Sequence, residues 1–435
     1  MLNYLQKNPL ASAFSALATF TGLLTSASAQ AVSLSQNGQG QVLIYPYYTV
    51  RGGTDSYLSV LNGSDIPTVV MLRFRSASSI YNVMDKVDEV RLVTLYLDAH
   101  DQWTGGVTAT AEGAKLISFD QTCTHPRVPQ GGLPFVIERP ERAPMDATRE
   151  GFFEVIEMGR IQDPVILAAI RQTGGARSCT WEATPSFVTL GMPTGALSGT
   201  ATLINVANGT QYSYQPVALE NFSDEFVAYG GSLDHAKPAV SQILHRGRVV
   251  TSTWNLGSNA VSAVLMHASM INEFVLESTT LSGTDWVVTL PTRDFYNLGK
   301  NVYRAPFASA QCQYQLAPNN LRYWDREARS DSLETQFGTS LPATSTLCGD
   351  VSVLTFNNSK LLASAHSENL ETSVVNGWAE LSFEGQLVSR EGHIYRGLPL
   401  TGFMVHDFVN GNVGGLLSNY GGNFDHKYTT EIDVP

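Results

Sequence analysis

Short stretches of alternating apolar and polar residues run along most of this chain. In residues 70–75 and again in residues 93–97, apolar side chains occupy every second position. A period of two residues predicts β-strands with one buried and one polar face. Asn-Gly pairs, which favour hairpin turns, follow strand-like runs at residues 62–63, 208–209, 376–377 and 410–411. The pattern predicts an all-β fold of two Ig-like β-sandwich modules with long disulfide-bounded loops and one or two short helices.

Two segments depart from the strand pattern. Asp163-Pro164 precede an apolar run that ends near Gly174. Asp at the N-cap, Pro in the first turn and Gly at the end predict a helix of two to three turns. A second short helix is predicted from Leu321 to Arg329.

The first 29 residues carry the features of a signal peptide. Lys7 gives a short basic start, the stretch up to Leu24 is largely apolar, and Ala27-Ser28-Ala29 forms a small-x-small cleavage site. The apolar core is too short for a membrane span, so no transmembrane anchor is expected. The mature chain is predicted to begin at Gln30 and to be periplasmic, cell-surface or extracellular.

Charge and cysteine content bear on which partners, crosslinks and metal sites the chain can have. The predicted signal peptide contains one of the 27 basic residues and no acidic one. The predicted mature chain therefore has 26 basic and 39 acidic residues, a net charge of −13. Basic residues form no run, which argues against a nucleic-acid partner. Four cysteines in an exported chain predict disulfides, and we favour Cys123–Cys179 and Cys312–Cys348 among the three possible pairings. No cysteine or histidine spacing suits zinc, so neither a metal nor a cofactor is expected.

An imperfect internal duplication suggests two modules. Trp103 and Trp286 each follow a strand-like run and precede a cysteine, and residues 151–155 resemble residues 377–381. If the duplication is real, the two tryptophans occupy equivalent buried positions. We therefore predict a module at residues 30–195 and a second at residues 196–435. The turn signals between residues 194 and 200 place this boundary only approximately.

Catalytic motifs are missing from the sequence. It contains no Gly-x-Ser-x-Gly, Ser-x-x-Lys or His-Glu-x-x-His. Glu154 and Glu157 are the candidate carboxylates for glycoside hydrolysis, but an offset of three residues on a strand places them on opposite faces. We expect one of them to be buried and partnered, with Arg149 or Arg160 as the candidate. No catalytic residue is assigned, and a secreted polysaccharide-acting hydrolase is the alternative function.

Candidate binding residues lie in loops. Tyr323 and Trp324 fall between Cys312 and Cys348, where a loop on a rigid sandwich would offer them to a partner. The oxygen-bearing segments at 410–412 and 419–425 could hold calcium, but hairpin turns explain them more simply.

Four motifs carry a resemblance. They are residues 42–50 (VLIYPYYTV), 154–159 (EVIEMG), 284–291 (TDWVVTLP) and 397–403 (GLPLTGF). With them the chain resembles a family of uncharacterised, exported proteobacterial cell-envelope or surface proteins. The resemblance implies a location in the cell envelope and implies no activity or site residues.

Together these observations predict a non-enzymatic cell-envelope or surface protein with a structural, adhesive or binding role. The expected partner is a protein, a glycan or a second copy of the chain.

Overall fold

The structure is a computed structural model of the 435-residue chain. It describes residues 30–78, 89–137, 144–171, 179, 189–297, 304–307, 320–332, 347 and 349–435. The predicted signal peptide, Cys312 and Cys348 lie outside the described residues, so the predictions made for them stay predictions.

Strands dominate the first half of the chain. They are β1 (Ser33–Leu34), β2 (Val42–Thr49), β3 (Asp55–Asn62), β4 (Thr68–Ser76), β5 (Glu89–Leu97), β6 (Gln102–Ala109), β7 (Ala114–Ile117), β8 (Cys123–His125), β9 (Leu133–Pro134), β10 (Glu150–Arg160), β11 (Leu197–Asn205), β12 (Thr210–Tyr214) and β13 (Val217–Glu220). A 3-10 turn at Met145–Arg149 and helix α1 (Pro164–Ile170) interrupt them.

The second half is built in the same way. Its strands are β14 (Val240–His245), β15 (Arg248–Thr253), β16 (Met266–His267), β17 (Ser269–Val275), β18 (Gly283–Thr289), β19 (Leu321–Asp325), β20 (Ser330–Ser332), β21 (Val351–Phe356), β22 (Ser367–Leu370), β23 (Asn376–Ser382), β24 (Gln386–Val388), β25 (Ile394–Arg396), β26 (Leu398–Pro399), β27 (Thr401–Val413), β28 (Leu416–Asp425), β29 (Lys427–Thr429) and β30 (Ile432–Asp433). Helix α2 (Gly257–Val264) and 3-10 turns at Leu233–His235 and Arg293–Tyr296 complete the described elements.

Two large sheets form the first sandwich. One has the order β1-β13-β2-β10-β4-β5-β8 and the other β12-β11-β3-β6-β7-β9. Aromatic side chains fill the space between them, where Tyr45 stacks on Phe153 with ring centroids 4.2 Å apart and Trp103 is fully buried. Because β11, β12 and β13 complete these sheets, the first sandwich extends to Glu220, beyond the predicted boundary at residues 195 and 196.

A second sandwich follows, with sheet orders β20-β19-β23-β17-β29 and β22-β21-β18-β27-β28. Phe274 of β17 stacks on Phe356 of β21 with centroids 5.1 Å apart, and Trp286 of β18 packs beside them. The structure therefore confirms the all-β prediction, whereas the Ig-like assignment stays a prediction. Trp103 and Trp286 are both buried, and their equivalence also remains a prediction.

The two sandwiches share buried surface. Val287, Val353 and Phe403 turn away from the second sandwich and join the core of the first, where Phe403 stacks on Tyr214 at 4.5 Å. The opposite face of β4, which carries Val69 and Met71, belongs to the other core, so β4 is buried along its whole length although the alternation predicted one polar face. Its Arg73 is paired with Glu89 at 2.7 Å and its Arg75 with Asp294. Burial of both arginines is possible because each has a carboxylate partner.

The helix predictions had different outcomes. Helix α1 begins as predicted, with the Asp163 side chain accepting hydrogen bonds from the amides of Val165 and Ile166. The helix predicted from Leu321 to Arg329 is wrong, because this segment forms β19 and then a turn in which Asp325 accepts from the Arg329 amide. Helix α2 was not predicted, since its Gly, Ser and Asn residues are weak helix formers and tertiary burial holds it in place.

The four Asn-Gly pairs also differ in outcome. Asn62-Gly63 follows β3, which pairs with β6 and β11 and lies in a different sheet from β4, so the hairpin turn predicted there is wrong. Asn208-Gly209 closes the β11–β12 hairpin as predicted. Asn376-Gly377 instead starts β23. Asn410-Gly411 forms a bulge inside β27, and the turn between β27 and β28 lies further on, at Gly414-Gly415. Residues 419–425, weighed as a calcium segment, belong to β28.

The predicted Cys123–Cys179 disulfide is present. It joins β8, a three-residue strand at the end of its sheet, to the chain that follows α1, with the two Cα atoms 5.4 Å apart. The crosslink fixes that short strand to a segment 56 residues later in the sequence.

Candidate functional site

Alternation along β19 decides which of its side chains reach solvent. Leu321 and Tyr323 point into the second core and are 4% and 3% exposed, whereas Arg322 and Trp324 lie on the outer face. The two predicted binding residues are thus separated: Trp324 is at the surface and Tyr323 is a core residue. Binding by Trp324 stays a prediction, and Tyr323 can contribute to it only by fixing the strand.

Strand β23 supplies the opposite half of this surface. Its Ala379 and Leu381 are buried, and Trp378 and Glu380 lie on the outer face. The antiparallel register sets Trp378 directly opposite Trp324, and Glu380 opposite Arg322. We call these four outer residues of β19 and β23 the tryptophan face.

The two indole rings are stacked. Their centroids are 4.0 Å apart and their planes differ by 14°. The guanidinium of Arg322 lies 5.7 Å from the Trp324 ring centroid, within the range of a cation–π contact. Trp378 keeps 37% of its surface exposed, so the stack covers only part of it. The exposed part of the Trp378 ring, at the middle of the sheet, is available to a ligand.

Polar groups border the rings. Arg322 Nη2 lies 2.8 Å from Glu380 Oε2, and the other oxygen of Glu380 accepts from Ser269 Oγ at 2.9 Å. Across the next strand, the exposed Glu273 stands opposite Trp378. The border therefore offers both hydrogen-bond donors and acceptors, and the Arg322–Glu380 pair is neutral as a unit.

Gly377 allows the two strands to lie this close together. A Cβ atom at that position would come within 1.9 Å of the Trp324 carbonyl oxygen. No side chain fits there, so glycine is needed for the pairing that brings the indoles into contact. The Asn-Gly pair read from the sequence as a turn signal therefore serves the strand contact.

The predicted carboxylate candidates form no pair. On β10, Glu154 stands opposite Arg73 and Glu157 opposite Val70, which places their side chains on opposite faces. Glu157 is fully buried and accepts hydrogen bonds from Thr194, Gly195 and Thr68. Burial raises the pKa of the Glu157 carboxyl above its usual value, and these hydrogen bonds oppose the rise.

Arg149, one of the two arginines named as possible partners of these carboxylates, has another role. Arg149 is paired with Asp146 at 2.9 Å and donates to the carbonyl of Thr110. The observed partners of Glu157 are hydroxyl and amide groups, so Glu157 anchors the segment that leads into β11. Nothing in this arrangement directs the two carboxylates toward one substrate.

The described residues offer neither a metal site nor a membrane-spanning helix. In that part of the chain, no group of three His, Cys, Asp or Glu side chains is placed to hold a metal ion. No helix among the described elements is long and apolar enough to cross a membrane.

Sequence reasoning identified Trp324 but missed Trp378. The resemblance between residues 151–155 and 377–381 drew attention to the segment without revealing its outward face. An alternation count over residues 376–382 would have placed Trp378 and Glu380 on one side, but only the register shows that they meet β19.

No family model, curated protein or solved structure matches this chain. The tryptophan face therefore rests on its own geometry as the candidate site.

Proposed function

We propose that this chain is an exported, non-enzymatic binding protein of the cell envelope, and that its tryptophan face contacts a polysaccharide. The stacked, partly exposed pair of Trp324 and Trp378 on an open sheet face carries the proposal. Export rests on the predicted signal peptide, and the Cys123–Cys179 disulfide suits an oxidising compartment.

The ligand class follows from the chemistry of the tryptophan face. A pyranose ring has an apolar C–H surface and a rim of hydroxyl groups that both donate and accept hydrogen bonds. The indoles offer the matching apolar surface, Arg322 offers donors, and Glu380 and the neighbouring Glu273 offer acceptors. Because the Arg322–Glu380 pair is neutral and Glu273 adds one negative charge, a neutral polysaccharide fits better than an anionic polymer.

Cross-strand aromatic pairs also stabilise sheets, by roughly 0.2–1 kcal/mol relative to alanine pairs. A buried position would serve that purpose better, since solvent exposure of Trp378 forgoes part of its hydrophobic stabilisation. The exposed indole lies beside hydrogen-bond donors and acceptors on Arg322, Glu380 and Glu273. This combination favours a binding role over a purely structural one.

Retention on insoluble polysaccharides tests the proposal. The mature chain is mixed with cellulose, chitin or granular starch, and bound protein is measured after sedimentation. We expect wild-type protein to bind at least one of them, and Trp378→Ala to weaken binding about tenfold or more, as loss of a central aromatic contact does. The matched control is Phe119→Ala, which removes an aromatic ring that is 84% exposed on the other sandwich.

Two results would contradict the proposal. One is a wild-type chain that binds none of the polysaccharides. The other is a folded Trp378→Ala protein, checked by circular dichroism, that binds as strongly as the wild type does.

A further inference from the structure

The β27–β28 hairpin is longer than the sheet that holds it. Strand β18 pairs with Thr401–Asp407 of β27, whereas β27 and β28 pair with each other as far as Val413 and Leu416. Residues 408–420 therefore form a two-stranded ribbon that continues past β18, whereas residues 421–424 pair with the part of β27 that β18 also holds. Its turn, Gly414-Gly415, has the positive φ angles of 62° and 88° that favour glycine.

This ribbon carries no charge. Residues 408–424 contain no Asp, Glu, Lys, Arg or His, and Asp407 and Asp425 flank them directly. The whole chain has 15% charged residues and a net charge of −12, so the ribbon differs from its surroundings. Charged side chains keep exposed hairpins in water, and this one lacks them.

A second uncharged hairpin lies against the first. Residues 183–219, which include β11 and β12, also contain no charged residue or histidine. Asn423 donates to the Ser213 carbonyl at 2.6 Å and accepts from the Ser213 amide at 3.0 Å, and Asn419 donates to the Asn208 carbonyl at 2.8 Å. These side-chain amides hold the two hairpins side by side.

The joined ends expose aliphatic side chains. The exposed fractions are 81% for Val206 in the β11–β12 turn, 60% for Val413, 73% for Leu416 and 51% for Leu417. We call these four residues the apolar hairpin end. Isolated exposed apolar residues are ordinary, but four of them at adjoining uncharged turns indicate a contact surface.

Apart from the uncharged polar residues Asn410, Asn412, Ser418 and Asn419, the kind of side chain changes in order away from this end. Tyr420 of β28, 60% exposed, pairs with Phe408 of β27, one step nearer the body of the protein. The aspartates at positions 407 and 425 come last. Asp407 is six residues from Val413, which at the rise of a strand is a distance of about 20 Å. Proteins at a bilayer place aliphatic side chains among the acyl chains, aromatic side chains at the headgroups and charged side chains in water. The hairpins present their side chains in the same order.

We propose that the apolar hairpin end inserts into the surface of a lipid bilayer. Valine and leucine side chains would enter the acyl region, and Tyr420 would lie at the headgroups with its ring in the apolar layer and its hydroxyl in the polar one. A second copy of the chain would also cover apolar residues, but it would not require this order of side chains. Insertion is confined to the interface, because backbone groups at the edges of a two-stranded ribbon would lack hydrogen-bond partners in the acyl region.

The net negative charge of the chain specifies the lipid to use. Attraction to anionic headgroups is not expected, so binding to zwitterionic phosphatidylcholine vesicles should equal or exceed binding to anionic ones and should survive high salt. This behaviour separates apolar insertion from electrostatic adsorption.

Flotation of the mature chain with phosphatidylcholine vesicles on a density gradient is the test. We expect wild-type protein to float and Leu416→Asp to lose about tenfold or more of its vesicle binding, because a charge would have to enter the bilayer. The matched control is Leu244→Asp, since Leu244 is also 73% exposed but lies on the separate β14–β15 hairpin. Both sites are exposed, so both variants should keep the thermal midpoint of the wild type.

Three outcomes would overturn the inference. Wild-type protein could remain at the bottom of the gradient, or Leu416→Asp could float as well as the wild type. In the third, light scattering without lipid would find a wild-type dimer that Leu416→Asp turns into a monomer, which would assign the hairpin end to a second copy.

Discussion

Replacement of Glu157 by alanine tests whether this buried carboxylate is a structural anchor. Its oxygens accept hydrogen bonds from the Thr194 amide at 2.6 Å, the Thr194 hydroxyl at 2.8 Å, the Gly195 amide at 2.8 Å and the Thr68 hydroxyl at 3.0 Å. Hydroxyl groups can rotate toward other acceptors, but backbone amides cannot. Glu157→Ala therefore leaves two amides to satisfy, which costs about 1–3 kcal/mol each.

Part of this cost is offset, because the variant also removes a desolvated carboxylate. We expect a net loss of about 3 kcal/mol in the free energy of unfolding. If a chain of roughly 400 residues unfolds together, this corresponds to a fall of about 3–4 °C in the thermal midpoint. Differential scanning calorimetry at pH 7 gives the value.

The control for this prediction is Glu157→Gln, which keeps one acceptor oxygen and nearly the same volume. It should lie between the wild type and Glu157→Ala, because its amide nitrogen cannot accept the remaining bonds. Thermal midpoints of Glu157→Ala and the wild type that agree within error would refute the anchoring role. Fully retained stability would leave Glu157 open to a chemical role.

Three further predictions concern the disulfide, the strand contact and a buried histidine. In the double variant Cys123→Ser/Cys179→Ser, the free energy of unfolding should fall by about 4 kcal/mol, the loop-closure value for a separation of 56 residues. An unchanged urea midpoint would contradict this. Gly377→Ala should disrupt the indole stack and weaken its exciton signal in circular dichroism, whereas Gly131→Ala, with nothing within 4 Å of its Cβ, should not. Burial lowers the pKa of His426 to about 4, so the unfolded chain takes up its proton first and stability should fall from pH 6.5 to pH 4, by up to about 3 kcal/mol. His426→Gln should flatten the pH dependence of the urea midpoint over that range, and an equally steep profile would exclude His426 as its source.

Local patterns predicted the strands well and their surroundings less well. The alternation in β4 identified a strand, but it assigned Arg73 and Arg75 to a polar face. Packing against that face buries both arginines, Arg73 beside Glu89 of the neighbouring strand and Arg75 beside Asp294, which is 219 residues away. A pattern of single residues has no information on such a partner.

Residues 321–329 show how tertiary contacts override local preference. Several of them have a fair helix propensity, and the sequence alone predicts a helix there. Pairing of β19 with β23 instead buries Leu321 and Tyr323 in the second core, which stabilises the strand. Helix α1 was predicted correctly because its Asp cap and its Pro act locally.

The candidate site was half predictable for a related reason. Trp324 stood out as an aromatic residue in the stretch between Cys312 and Cys348, but its partner Trp378 is 54 positions away in the sequence. Only the register of β19 and β23 makes them neighbours, and register depends on the whole sheet. The uncharged segments 183–219 and 408–424 were likewise visible in the sequence, whereas their contact through Asn419 and Asn423 was not.

Titration of a soluble oligosaccharide, taken from whichever polysaccharide retains the protein, tests the central claim most directly. Tryptophan fluorescence is followed in the wild type, Trp378→Ala and Phe119→Ala. The account predicts a saturable change with one site per chain in the wild type and in Phe119→Ala, and its loss in Trp378→Ala. An equal saturable change in folded Trp378→Ala protein would place the ligand elsewhere and contradict the assignment of the tryptophan face.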